Sequence, residues 1–156
     1  MPAKGRSRKV LLVSSSGGHL QELIQLRERW PHEERVWVTF ATPDAHSLLD
    51  GEHVVFAHHP TNRNVPNLLR NLLLAFRVVR SVRPRAVVST GAGVAVPFCY
   101  LARLFGARVV FIESFARISN PSLTGRLVYP VATDFFVQWP EMLPHFRRAR
   151  YEGPVF

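Results

Sequence analysis

Apolar residues in this chain come in short unbroken runs, separated by stretches whose apolar positions recur every three or four residues. Lys9–Ser15 (KVLLVSS) is the first run; it predicts a strand buried on both faces. Behind Gly17-Gly18, Leu20, Leu23, Ile24 and Leu26 recur at helical spacing as far as Trp30-Pro31. Runs at Arg35–Ala41, His53–Ala57, Arg85–Ser89, Arg108–Ile112 and Thr133–Gln138 predict five more strands. Helices are expected at Asp44–Leu49, with Asp44 as its N-cap, at Val65–Val82, stopped by Arg83-Pro84, at Val94–Phe105 and at Ser122–Tyr129. His58–Asn64 and Glu113–Pro121 read as polar loops, and Trp139–Phe156 holds three prolines. Strands alternate with helices from end to end, which predicts a parallel sheet with helices on both faces, a Rossmann-like α/β domain. Residues 1–8 are expected to be a mobile basic tail, and residues 9–156 a single domain.

Composition narrows the class. A length of 156 residues suits one domain, and 47% hydrophobic against 20% charged residues supplies a core and excludes wholesale disorder. The formal charge of +9 points to an anionic partner: nucleic acid, a phosphorylated small molecule or a membrane surface. Only two of the 20 basic residues, Lys4 and Lys9, are lysines, and arginine-rich composition also follows from genome base content, so the charge carries half weight. No aromatic-basic interleaving or recognised motif supports nucleic acid, and no nucleic-acid partner is expected. Cys99 is the only cysteine, which fits a reducing compartment. Val10–Val13 is too short for a signal peptide, and the most apolar stretch, Val94–Ile112, is broken by Arg103 and Arg108. The expected location is cytoplasmic, with peripheral membrane contact left open.

In open parallel sheets ligands bind outside the carboxyl ends of the strands, where strand order reverses. Two small-residue turns fall at such ends, Ser14–His19 and Ser89–Gly93, and a common strand order makes them neighbours. Each opens a helix, so backbone N–H groups and positive helix ends face one crevice, an arrangement suited to phosphate or diphosphate. The plainer reading is that the glycines let strand and helix pack closely. Neither turn is a dinucleotide fingerprint or a P-loop. His19 follows the glycines directly; a neutral imidazole there can accept a proton from a sugar hydroxyl, or it binds only water. Glu113 closes the fifth strand, where it can hold sugar hydroxyls or form an ion pair with Arg117. His32, His46, His53, His58, His59 and His145 show no metal-ligand spacing, and no metal and no cofactor are expected. The helix over Val65–Val82 has too many apolar residues for one stripe, Leu69, Leu73 and Phe76 among them, while Arg70, Arg77 and Arg80 share one side. That composition suits an interfacial helix on an anionic leaflet, or one buried by its own domain or a partner subunit.

The segments SSSGGHL (Ser14–Leu20), STGAGVAVP (Ser89–Pro97) and ESFARISNPSLTGRL (Glu113–Leu127) together resemble polysaccharide-biosynthesis glycosyltransferase subunits of the PssD/CpsF type. These are similar to the membrane-side subunit of the eukaryotic two-part enzyme that adds the second N-acetylglucosamine to dolichol diphosphate, and to the N-terminal half of the peptidoglycan lipid-intermediate N-acetylglucosaminyltransferase. The resemblance implies the acceptor-side half of a split GT-B enzyme, with the UDP-sugar site on a separate donor-binding subunit. It implies a polyprenyl-diphosphate-linked sugar as acceptor and transfer with inversion. By matching motif, Ser16, Gly17, Gly18, Thr90, Gly91 and Gly93 would face the acceptor diphosphate and His19 would be the base. Glu113 and Arg117 would lie on the acceptor or the subunit seam. Leu69, Arg70, Leu73, Phe76, Arg77 and Arg80 would meet an anionic membrane surface on the inner face of the cell membrane. The eukaryotic relative carries an N-terminal transmembrane helix that this sequence lacks, so contact through a peripheral face or a partner is expected. Fused relatives run on into a second domain near Tyr151–Phe156, where this chain stops. A non-catalytic scaffold recruiting a partner glycosyltransferase to the membrane is the alternative.

Overall fold

The computed structural model describes residues 7–155, so most of the expected basic tail, residues 1–6, lies outside the described residues. Strands form where the apolar runs predict them: β1 (Val10–Ser14), β2 (Arg35–Phe40), β3 (Val54–Ala57), β4 (Ala86–Gly91), β5 (Arg108–Ile112) and β6 (Asp134–Phe136). A further strand, β7 (Ala149–Arg150), comes from the proline-containing tail and was not expected; two residues are too few to show a period. Among the described residues these make one seven-stranded sheet in the order β3-β2-β1-β4-β5-β6-β7, every pair parallel. The order reverses between β1 and β4, whose registers run Val10 to Ala86 through Val13 to Ser89. Both small-residue turns therefore meet at the switch point.

Side chains of β1 alternate between two cores, as the pleat requires. Leu11 and Val13 pack with β4, β5 and the helices α3 (Val65–Val82), α4 (Ala95–Leu104) and α5 (Leu123–Val128). Val10 and Leu12 pack on the other face with Trp37 and with α1 (Gly18–Ile24) and α2 (Pro43–Leu48). Burial on both faces is why the strand is apolar from Val10 to Val13. Cys99 of α4 is fully buried, and burial pushes its thiol up to about 12, so it acts as a small core residue.

Two helices depart from expectation in instructive ways. The N-cap of α2 is Thr42, not Asp44; Pro43 takes the first helical position, and the Asp44 carboxylate turns away toward the first glycine turn. Helix α3 has the expected bounds. Asn64 caps it by accepting from the Asn67 N–H at 3.0 Å, and Arg83 ends it in the left-handed region at φ 50° ahead of Pro84. Its inward face, however, carries Asn67 and Asn71 as well as Ala75, Val78 and Val79. Its outward face carries Leu68, Leu69, Leu72, Leu73 and Phe76, each 41–59% exposed. The domain itself does not bury that face.

Candidate functional site

At the carboxyl end of the sheet, the loops after β1, β3, β4 and β5 surround a cleft of about 1210 Å³. His19 stands at the start of α1 and lines it. Its ring lies against the backbone of Gly91, where a Cβ would come within 3.3 Å of Cε1 and 3.4 Å of Nδ1, and where φ is +126°. The backbone conformation favours glycine, and a Cβ would push the ring by a few tenths of an ångström. The ring's Nδ1 is buried without a partner among the described residues, so nothing holds the imidazole from behind as a carboxylate would. Thr90 is fully buried and donates its hydroxyl to the His19 carbonyl at 2.6 Å, tying β4 to α1.

The expected site residues divide clearly. His19, Gly93 and Arg117 line the cleft, whereas Ser16, Gly17, Gly18, Thr90, Gly91 and Glu113 do not. The Gly17 N–H is already taken, donating to Asp44 Oδ2 at 2.9 Å. The Thr42 hydroxyl and that N–H hold the Asp44 carboxyl below its ordinary value. Glu113 neither reaches the cleft nor pairs with Arg117. It is 2% exposed and accepts from the Ser122 hydroxyl at 2.6 Å and the Ser122 N–H at 3.1 Å. Ser122 in turn caps α5 by accepting from the Gly125 N–H at 2.9 Å, and a Cβ on Gly125 would collide with the Glu113 carboxylate. Glu113 thus anchors the loop that carries Arg117. Glu22 of α1 holds the same loop, accepting from Ser114 Oγ at 2.9 Å and the Phe115 N–H at 3.2 Å.

The wall that sequence reasoning missed is the loop from His58 to Asn64, which supplies Thr61, Asn62 and Arg63 to the cleft. The inward asparagines of α3 shape it. Asn71 accepts from the His58 N–H at 2.8 Å and donates to the His58 carbonyl at 2.9 Å, and Asn67 donates to the Pro60 carbonyl at 2.9 Å. Arg70 bends to donate to Asn67 Oδ1 at 3.1 Å. The available signal was Asn67 and Asn71 at i and i+4 inside an apolar helix: one turn of polar residues where leucine would suit a core.

Among the described residues no aspartate or glutamate lines the cleft, and its arginines are Arg63 and Arg117. Its apolar lining includes Leu68, Leu123 and Leu127, which are also exposed, so the cleft opens onto the outward face of α3. Phe105, beyond α4, meets Phe76 of α3 at 6.0 Å between ring centroids, and Leu104 at the end of α4 is 79% exposed, extending that face. Among the described residues no helix is long and apolar enough to cross a membrane, and no three His, Cys, Asp or Glu gather as a metal ion requires.

Residues 57–155 match the family described as oligosaccharide biosynthesis protein Alg14 like. The chain belongs to the Alg14 family. It is 39% identical to the UDP-N-acetylglucosamine transferase subunit ALG14 of Eremothecium gossypii, across 97% of this chain and 82% of that one. It is 29% identical to the human subunit of the same name, across 96% and 83%. Acinetobacter baumannii MurG has a similar fold, with a TM-score of 0.75 at 18% identity, covering 92% of this chain and 45% of that one. Anabaena Alr3699/HepE, solved in complex with UDP and glucose, gives 0.69 at 14%, covering 96% and 45%. This Alg14-family chain therefore corresponds in fold to less than half of those longer chains. The Rossmann-like α/β architecture and the resemblance to a glycosyltransferase subunit both stand; the narrower PssD/CpsF type is a finer statement than these matches make.

Proposed function

We propose that this chain is the acceptor-side, membrane-facing subunit of a two-component GT-B glycosyltransferase. With a separate donor-binding chain it would transfer a sugar, N-acetylglucosamine on the naming of its relatives, from a UDP-sugar to a polyprenyl-diphosphate-linked saccharide. The reaction would take place on the inner face of the cell membrane, and oligosaccharide or cell-surface polysaccharide synthesis would use the product. One observation carries the reading: a cleft free of carboxylates and lined by two arginines opens directly onto an exposed leucine-rich face. That is the shape of an amphiphile, with an anionic head in the crevice and an apolar tail toward lipid. His19, which with His59 supplies the histidines lining the cleft, would take the proton from the acceptor hydroxyl as that oxygen attacks the anomeric carbon with inversion. Gly93 and the N-terminal end of α4 would face the head group, as the second glycine turn suggested.

The outward face of α3, with Leu69, Leu73 and Phe76 beside Arg77 and Arg80, would rest on an anionic leaflet. The test is reconstitution on vesicles of this chain with a donor-binding chain encoded beside it. Transfer from UDP-N-acetylglucosamine to a polyprenyl-diphosphate sugar should require both. Transfer by this chain alone, or none by the pair, would overturn the proposal. The scaffold reading gains support from one feature, the lack of any group orienting His19 through Nδ1; a His19→Ala pair with unchanged rate would favour it.

A further inference from the structure

Most ion pairs among the described residues gather at one end of the sheet. Arg35 pairs with Glu52, Arg85 with Glu34 and Arg108 with Asp134, all at the amino ends of strands. At the carboxyl end the acidic groups are turned into the framework. Asp44 accepts from Gly17, Glu22 from Ser114 and Phe115, and Glu113 from Ser122. Arg63 and Arg117 are left lining the cleft, and neither has an acidic partner among the described residues.

We infer that Arg63 and Arg117 are the diphosphate grip, one guanidinium from the β3–α3 loop and one from the β5–α5 loop, beside Gly93 at the head of α4. The inference rests on the acceptor reading above and names residues for it. Two planar guanidiniums in a cleft without competing carboxylates match the doubly branched anion of a diphosphate ester. The first glycine turn is the weaker candidate. Its Gly17 N–H is occupied by a carboxylate held in the charged form, and a second anion brought against Asp44 would be repelled.

Arg63 adds a separate clue. Its backbone sits at φ 49°, a left-handed conformation that costs a bulky residue and that glycine adopts freely. Such strain clusters at ligand clamps. It also makes Arg63→Gly a clean probe, since that change relieves the backbone while removing the guanidinium.

The experiment is calorimetric titration of the full chain with farnesyl diphosphate, with inorganic diphosphate and, separately, with phosphatidylglycerol vesicles. Arg63→Gln and Arg117→Gln should each weaken farnesyl diphosphate and inorganic diphosphate by about tenfold or more, the usual effect of losing a charge-assisted hydrogen bond. Arg63→Gly should weaken them equally with a thermal midpoint at or above that of the parent chain, which separates lost grip from lost fold. Arg29→Gln, exposed in the turn ahead of β2 and outside the cleft, should leave both constants unchanged. Parent-like affinity for both diphosphates in Arg63→Gln and Arg117→Gln overturns the grip, as does a loss confined to the vesicles, which would make these arginines membrane contacts. A parent chain that binds no farnesyl diphosphate overturns the acceptor reading as well.

Discussion

The amino and carboxyl ends of this sheet are built on opposite rules. At the amino end, Arg35 and Glu52 are 7% and 6% exposed at their side chains and meet at 2.6 Å. The Trp37 indole donates to the same carboxylate at 2.9 Å, and Arg35 also donates to the carbonyls of Arg27 and Trp30, each at 3.1 Å. The buried charges of that pair are fully partnered. At the carboxyl end, Ser14 Oγ, His19 Nδ1, Glu22 Oε2, Thr39 Oγ1 and Gln138 Nε2 are buried with no partner among the described residues. Buried polar groups without partners cost stability, and natural proteins keep them where something else requires them. The contrast separates a pole that holds the fold from a pole that holds the ligand, and substitutions at the two poles should fail in different ways.

The largest effect is expected at the stabilising pole. Glu52→Ala leaves the Arg35 guanidinium buried without a counter-charge and the Trp37 N–H without an acceptor, a change that typically costs about 3–5 kcal/mol. Urea denaturation should show that loss, while transfer by the reconstituted pair, counted per folded molecule, stays at the parent rate. The same site sets an acid limit. Burial pushes the Glu52 carboxyl up, but hydrogen bonds from Arg35 and Trp37 and the Arg35 charge pull it further down, and the net shift is below the ordinary value. A carboxyl depressed by folding stabilises above its unfolded pKa, about 4, and that contribution disappears as pH falls through the lower folded value. The parent chain should lose stability below about pH 4, and Glu52→Ala should lose less over the same range. An acid limb equally steep in both would place the sensitivity elsewhere, with Asp44 the remaining depressed carboxyl.

At the ligand pole the signs reverse. His19→Ala should lower transfer by about 10²-fold, the usual scale of general-base catalysis and roughly 2.7 kcal/mol of barrier, with little change in thermal midpoint because Nδ1 has no partner to lose. His19→Gln sharpens the comparison. Its amide can donate a hydrogen bond from near the Nε2 position but cannot take a proton at neutral pH. If His19 is the base, Gln and Ala fall together. A Gln variant near the parent rate would instead make His19 a donor to the acceptor. Loss of stability in His19→Ala as large as in Glu52→Ala would break the division between the poles altogether.

What the sequence revealed and what it hid also divides along these lines. The end of α3 followed from Arg83-Pro84, and the β1–β4 switch point from two small-residue turns: local signals with local causes. Glu113 was placed at the right strand end but given the wrong task, because its partner is Ser122, nine residues on, and no spacing rule links them. Gly17 and Asp44 lie 27 residues apart, and Thr90 and His19 lie 71 apart. Such tertiary contacts decide which glycine-turn groups remain free for a ligand. Arg63 stood out in the sequence only as a basic residue near the start of the long helix, since only the folded asparagines of α3 draw its loop over the cleft.

The smallest expected effect lies on the outward face of α3. Arg77 and Arg80 are exposed on α3, with no acidic partner among the described residues, beside leucines that the domain leaves uncovered. Each basic side chain close to an anionic leaflet contributes on the order of 1 kcal/mol, about fivefold in partitioning. Arg77→Gln and Arg80→Gln should therefore each lower binding to phosphatidylglycerol vesicles by about that factor, additively, and the difference should shrink as salt rises toward screening of the surface charge. Leu69→Ser and Leu73→Ser should weaken vesicle binding without that salt dependence, since they remove apolar contact rather than charge. Fold and diphosphate affinity should be untouched in all four. If the arginine variants bound vesicles like the parent while the serine variants abolished pairing with the donor-binding chain, the leucine face would be the seat of the partner subunit and the membrane would have to be met elsewhere.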